Sequence, residues 1–149
     1  MIEVKPFKAE DMLWVLENGV KEFGFKTVPN EELKTMAKER EASGKCITGW
    51  VDGEIIGVAG IDLLWENVGD IWLMLTPLIH KHLKEGYKCI REGMKKLIDE
   101  HKLRRVQSYG RVDFPACHIL FKHLGFKVEG MAKKYTSDGV DCILYAKVK

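Results

Sequence analysis

The chain of 149 residues lacks most of the features that mark a dedicated function. No apolar run approaches the ~20 residues needed to cross a bilayer, so no spanning helix and no membrane partner are expected. The opening stretch, Met1-Ile2-Glu3-Val4-Lys5-Pro6-Phe7-Lys8, has no apolar centre of a signal peptide, so a cytoplasmic setting is the expectation. Four cysteines, Cys46, Cys89, Cys117 and Cys142, form no C-x-x-C pair and read as buried reduced thiols. No ligand spacing for zinc is present, and no metal is expected. P-loops, catalytic triads and metal-binding helix motifs are missing. So are internal repeats, low-complexity tracts and linkers. A net charge of only +2 argues against a nucleic-acid partner.

What is present fits one domain over residues 1–149. A chain of this length buries roughly two-thirds of the surface its unfolded form exposes, enough to fold without a staple. The composition, 46% hydrophobic and 31% charged, is that of an ordinary globular domain. The charge is unevenly spread. Residues 1–79 carry 8 basic and 14 acidic side chains, a net of −6, whereas residues 80–149 carry 16 and 8, a net of +8. Such a division offers an acidic surface to a cation and a basic one to an anion.

Periodicity gives the order of elements. Residues 2–7 alternate as a strand. Ala9 to Phe23 reads as a helix with Met12, Leu13, Leu16, Val20 and Phe23 on one face, ended by Gly24. Asn30 caps a second helix running through Ala42, with Leu33, Met36 and Ala37 as its apolar stripe. Cys46–Val51 and Glu54–Trp65 form a hairpin about Asp52-Gly53. After a turn at residues 66–69, Asp70–Thr76 is a largely apolar strand of the kind found at a sheet centre. A long helix follows from about His82 to His101. Then come a strand from Arg105 to Val112 and a short helix from Pro115 to His123. A last hairpin, Lys127–Tyr135 and Val140–Val148, closes the chain. The expected fold is α/β (α+β): a mixed sheet of about seven strands in the order β-α-α-β-β-β-α-β-α-β-β, flanked by helices. The strand–helix–strand crossover favours a right-handed parallel connection.

That order, together with the stretch Ile119-Leu120-Phe121-Lys122-His123-Leu124-Gly125-Phe126-Lys127-Val128-Glu129-Gly130, resembles the GNAT superfamily of acetyl-CoA-dependent N-acyltransferases, whose members carry L-Y-x-x-L-G-F-x-x-E-G there. Residues 134–146 are similar to the family's closing hairpin. Trp65-Glu66-Asn67-Val68 before Ile71-Trp72-Leu73, with the run LTPLIHKHLKEG, is similar to GNAT-like proteins of tailed phages, some of them virion components. The resemblance implies an acyltransferase using acetyl-CoA as cosubstrate, with a small-molecule or protein amine as acceptor. It also leaves open a non-catalytic protein of the same fold, located in a virion. Sheet pairing through the C-terminal hairpin would give a homodimer.

The resemblance also assigns residues. The acetyl carbonyl needs a backbone donor from the strand segment Leu73-Met74-Leu75. The pyrophosphate needs the start of the long helix, where His80, Lys81, His82 and Lys84 supply positive charge and Gly86 supplies a glycine in a shifted register. The family's own loop pattern, Q/R-x-x-G-x-G/A, places Leu83 and Glu85 where glycines are usual. Glu85 then opposes a phosphate: two charges 5 Å apart repel by about 3 kcal/mol at an effective dielectric near 20. The family's tyrosine acid is replaced by Phe121, and its asparagine by Phe114. Substitutes for proton transfer are His118 and Tyr109, with Asp70, Asp62 or Glu66 as the proton-accepting carboxylate. Trp65 and Trp72, with Trp50, read either as packing or as an aromatic wall for an amine.

Overall fold

The computed structural model describes residues 1–20 and 29–149. Seven strands form one sheet: β1 (Glu3–Pro6), β2 (Cys46–Val51), β3 (Glu54–Trp65), β4 (Val68–Leu75), β5 (Arg105–Arg111), β6 (Lys127–Ala132) and β7 (Cys142–Val148). Their spatial order is β1-β2-β3-β4-β5-β7-β6. Helices α1 (Ala9–Asn18) and α2 (Glu31–Ser43) cover one face, and α3 (Leu83–Glu100) and α4 (Pro115–His123) cover the other. The architecture is the mixed α/β sheet that the sequence predicts.

Local chemistry sets the helix ends. Asp11, in the first turn of α1, accepts the Lys8 N–H (3.1 Å) and the buried Thr48 hydroxyl (2.7 Å). It thereby caps the helix and ties it to β2. Met12, Val15 and Leu16 of α1 are fully buried against Val58 and Ala37. Removing the Leu16 side chain to Ala should cost about 2–5 kcal/mol. Asn30 caps α2 as expected, its side chain accepting from the Leu33 N–H at 2.9 Å.

Several boundaries differ from the sequence reading, among them those of the closing hairpin, where β6 stops at Ala132 short of the expected Tyr135 and β7 starts at Cys142 after the expected Val140. Helix α1 ends at Asn18 with Gly19 extended (φ −80°, ψ 171°), short of the expected Phe23. Phe23 and Gly24 themselves lie outside the described residues. The turn into β4 occupies only Glu66-Asn67, Asn67 taking the positive φ (65°) that such a turn needs, so β4 begins at Val68. Between β4 and α3, Pro77–Lys81 winds as a 3₁₀ turn, which periodicity does not reveal.

The feature that positions the site is the junction of β4 and β5. These strands are parallel, as the crossover predicts, but they pair over three residues only: Val68 with Arg105, Gly69 with Val106 and Asp70 with Gln107. Beyond Asp70 they part. β4 stays paired with β3 as far as Leu75, while β5 stays paired with β7 as far as Arg111.

Candidate active site

A cleft of about 970 Å³ opens where β4 and β5 part, lined on opposite sides by Leu73 and Tyr109 and along its length by α3 and α4. Alternation of the backbone decides what β4 offers to it. The Ile61 N–H bonds to the Lys45 carbonyl, so odd-numbered residues of β3 face β2 and even-numbered ones face β4. Met74 and Trp72 therefore point their N–H groups at β3, and Ile71, Leu73 and Leu75 point theirs into the gap. The Leu75 carbonyl at the mouth accepts the Val20 N–H at 2.7 Å. Of the three strand residues predicted to supply a main-chain donor, Leu73 and Leu75 present one to the cleft and Met74 does not.

Side-chain parity separates two chemistries. On the α3/α4 face, Ile71 and the residues packed with it are apolar. Gly110 of β5 lets α4 lie close, since a Cβ there would stand 3.2 Å from both Cys117 Sγ and His118 Cε1. His118 spends both ring nitrogens on the fold: Nδ1 meets the buried Tyr145 hydroxyl at 2.5 Å and Nε2 meets the Arg111 carbonyl at 2.7 Å. A carbonyl only accepts, so Nε2 carries the hydrogen and Tyr145 donates to Nδ1. Phe121 lines the cleft with its ring stacked on Tyr145 at 4.5 Å. Cys117 also lines it, but burial pushes its thiol up to about 11 and it donates to the Phe114 carbonyl (3.1 Å). A thiol in that state is protonated at neutral pH and makes a poor nucleophile.

The α1/α2 face is polar and aromatic. Asp62, Asp70 and Trp72 share it. Arg40 of α2, mostly buried, grips Asp62 with two bonds (Nε to Oδ1 3.2 Å, Nη2 to Oδ2 2.8 Å) and lies over the Trp72 ring at 3.9 Å. Phe7 meets Trp72 edge-on at 5.9 Å. Across the gap Tyr109 stacks on Tyr135 at 4.4 Å. Asp70 Oδ1 and Trp72 Nε1 are buried with no hydrogen-bond partner among the described residues. Desolvation holds the Asp70 carboxyl above its ordinary value, and the nearby Asp62 charge adds to this against a Gln107 hydrogen bond.

The start of α3 is open. His82 at its N-cap makes no side-chain capping bond, and among the described residues the N–H groups of Leu83, Lys84 and Glu85 have no partner. His80, Lys81 and Lys84 are exposed around it. Leu83 points to solvent, 60% exposed, and so does not crowd the helix start. Glu85 turns toward His82 and the chain's own amino terminus, each 3.9 Å away. Gly86 supplies no free donor, because its N–H bonds to the His82 carbonyl at 2.7 Å. Its missing side chain instead admits Ile79, whose Cδ1 would lie 2.5 Å from a Cβ.

The structure thus brings Asp70, Asp62, Trp72 and Tyr109 to one face of the sheet and His118 to the other; of these Trp72 and Tyr109 line the cleft, while Asp70 sits at the last paired position of β4 and β5, opposite Gln107. Trp65 and Glu66 join neither: they sit at the exposed tip of the β3–β4 hairpin, beyond the paired end of β4 and β5, and line no part of the cleft. Arg40, which lines the cleft, and Tyr135, which stacks on Tyr109, are neighbours of Trp72 and Tyr109 that sequence reading misses. Arg40 reads as one more charge on a solvated helix, and only the partner strand reveals its role. Among the described residues no cluster of His, Cys, Asp or Glu is arranged to hold a metal ion.

No family model matches the chain, and no curated protein matches it in sequence. Solved structures do match it. Ard1 from Thermoplasma volcanium superposes with a TM-score of 0.79 at 16% identity, over 99% of this chain and 97% of that one. A ribosomal-protein-alanine N-acetyltransferase from Brucella melitensis gives 0.77 at 12% identity, over 99% of both. A GNAT-family acetyltransferase from Streptococcus pneumoniae gives 0.75 at 16% identity, over the full length of both. On these superpositions, and on the parted parallel strands, the chain has the fold of the GNAT acetyltransferases.

Proposed function

We propose that the protein transfers an acetyl group from acetyl-CoA directly to an amine across the opened β4–β5 pair. The observation that carries this reading is the parting of two parallel strands after three residues, which leaves the Leu73 N–H facing a cleft reached from both faces of the sheet. A donor fixed there matches what the carbonyl needs as it gains negative charge. The amine nitrogen attacks the thioester carbon, the C–S bond breaks, and the amine proton passes to Asp70. A carboxyl raised by burial is a better base for that step than an ordinary aspartate. The departing thiolate takes its proton from water or from Tyr109. A free thiol titrates near pH 8.5, so departure without a dedicated acid is slow rather than forbidden. Cys117, held near 11, supports direct transfer over an acyl-cysteine intermediate.

The unpartnered N–H groups at the start of α3, with His80, Lys81, His82 and Lys84 around them, would hold the pyrophosphate. Glu85 is turned toward the Met1 amino group, 3.9 Å away, which offsets part of its repulsion. Calorimetry with acetyl-CoA tests this part. Binding that weakens with salt is expected, and no heat at millimolar acetyl-CoA would reject it.

Phe121 and the absent loop glycines favour a second reading, a GNAT-fold protein that binds without turnover, such as a phage virion or accessory component. Mass spectrometry of acetylated product across a broad amine panel separates the two. Product supports the enzyme; bound CoA without product supports the second reading.

A further inference from the structure

Among the described residues, the only buried side-chain polar atoms without a partner are Asp70 Oδ1 and Trp72 Nε1. They stand two residues apart on one face of β4, a Cα separation of about 7 Å from the strand repeat. Their polarity is opposite: the carboxylate oxygen accepts and the indole N–H donates. Burying such groups without partners costs free energy, so each calls for a partner from outside the chain, a water or a ligand. Trp72 is also held in place, with Phe7 against it and the Arg40 guanidinium over its ring. Its N–H therefore has a set direction beside the cleft, which Trp72 lines and Asp70, at the paired end of the two strands, closes from below.

We infer that the acceptor is a singly charged amine that also carries a neutral hydrogen-bond acceptor, a carbonyl or hydroxyl, with Asp70 meeting the ammonium and Trp72 Nε1 meeting that oxygen. This rests on the acyl-transfer reading above for the role of the amine. The local charge argues for one positive charge and no negative one. Arg40 is spent on Asp62 through two bonds, so the trio Arg40, Asp62 and ionised Asp70 sums to −1. Among the described residues, a zwitterion would bring its carboxylate against these two aspartates with no free cation beside them to meet it. The aromatic pair Tyr109–Tyr135 across the gap suits a cation equally well. Trp72 is then a specificity-determining residue, since it excludes plain alkylamines by leaving its own N–H unmet.

The test uses glycinamide, its near-isostere isobutylamine, which lacks the acceptor, and glycine, which is a zwitterion. Binding of each is measured by calorimetry to the full chain saturated with CoA, and acetylation of each is measured with acetyl-CoA. Wild type should favour glycinamide over isobutylamine at least fivefold in affinity, as one unmet buried donor implies, and glycine should bind worst. Trp72→Phe keeps the ring and removes the N–H, so it should shrink the glycinamide preference at least fivefold. The wild-type comparison stands alone if that variant does not fold. Equal affinity for glycinamide and isobutylamine, stronger binding of glycine, or no binding of any of the three would overturn the inference. Failure of acyl transfer itself shows separately, as amine binding with the predicted order but no acetylated product.

Discussion

The two faces of the opened strands solve the same problem in opposite ways. On the α3/α4 side every buried polar side chain among the described residues has its partner, and His118 is consumed in joining α4 to β5 and β7. On the α1/α2 side two buried polar atoms are left unmatched, beside an arginine–aspartate pair that fixes the ring next to them. We read the face with all its bonds made as scaffold and the face that keeps bonds unmade as the acceptor side of the proposed reaction. The difference teaches where chemistry belongs. A histidine is an attractive catalyst by type, yet here both ring nitrogens are spent on the fold, whereas Asp70, with one carboxylate oxygen unmatched, is the base we propose.

The comparison can be broken first at Asp70. Asp70→Asn should lower kcat/KM by about 10²- to 10⁴-fold, the range expected for losing a general base, and steady-state kinetics would measure it. The same variant sharpens the electrostatic side. Because burial raises the Asp70 carboxyl above its ordinary 3.8, the folded chain holds that proton in a pH window where the unfolded chain has released it. Stability contributed by protonated Asp70 is therefore lost as pH climbs through that window. Urea unfolding across the window should show this fall in wild type and a reduced fall in Asp70→Asn.

On the other face the expected effect is structural. His118→Ala removes the partner of the Tyr145 hydroxyl and one of two donors to the Arg111 carbonyl, which keeps the Phe114 N–H. It should destabilise the fold by about 1–3 kcal/mol while changing kcat/KM less than Asp70→Asn does. A larger kinetic loss with an unchanged melting temperature would move His118 from brace to catalyst. Phe121→Tyr is predicted to leave the rate unchanged or raise it, since its ring already lines the cleft and a hydroxyl there could assist the thiolate. A large fall would mean that the site has no room for it.

The smallest effects belong to the exposed cations. Lys81→Ala and Lys84→Ala should each weaken acetyl-CoA binding no more than about fivefold, because solvent-exposed charges contribute about 0.2–1 kcal/mol. The loss should shrink further in salt.

Much of this fold was legible in the chain. The apolar run of β4, the crossover helix and the Gly125-Phe126 stretch pointed to two parallel central strands, and the strands are parallel. Asp70 and Trp72 stood out by residue type, a carboxylate and an aromatic on a strand, and the structure puts both on one face of β4. What stayed hidden depends on contacts between segments far apart in sequence. Arg40 acts through Asp62 on β3, 22 positions away, and no local period encodes that. Tyr135 acts through its stack on Tyr109, on a different strand hairpin. Trp65 misled for the converse reason: it belongs to the same aromatic-rich stretch as Trp72, but a turn of two residues carries it to the far end of the sheet.

The most direct test of acyl transfer at the opened strands is amine-dependent release of free CoA thiol from acetyl-CoA, followed alongside the acetylated amine by mass spectrometry. The account predicts stoichiometric thiol and product from wild type with glycinamide, and a loss of at least about a hundredfold in Asp70→Asn. Equal rates in wild type and Asp70→Asn, or tight acetyl-CoA binding with no acetylated amine, would contradict it.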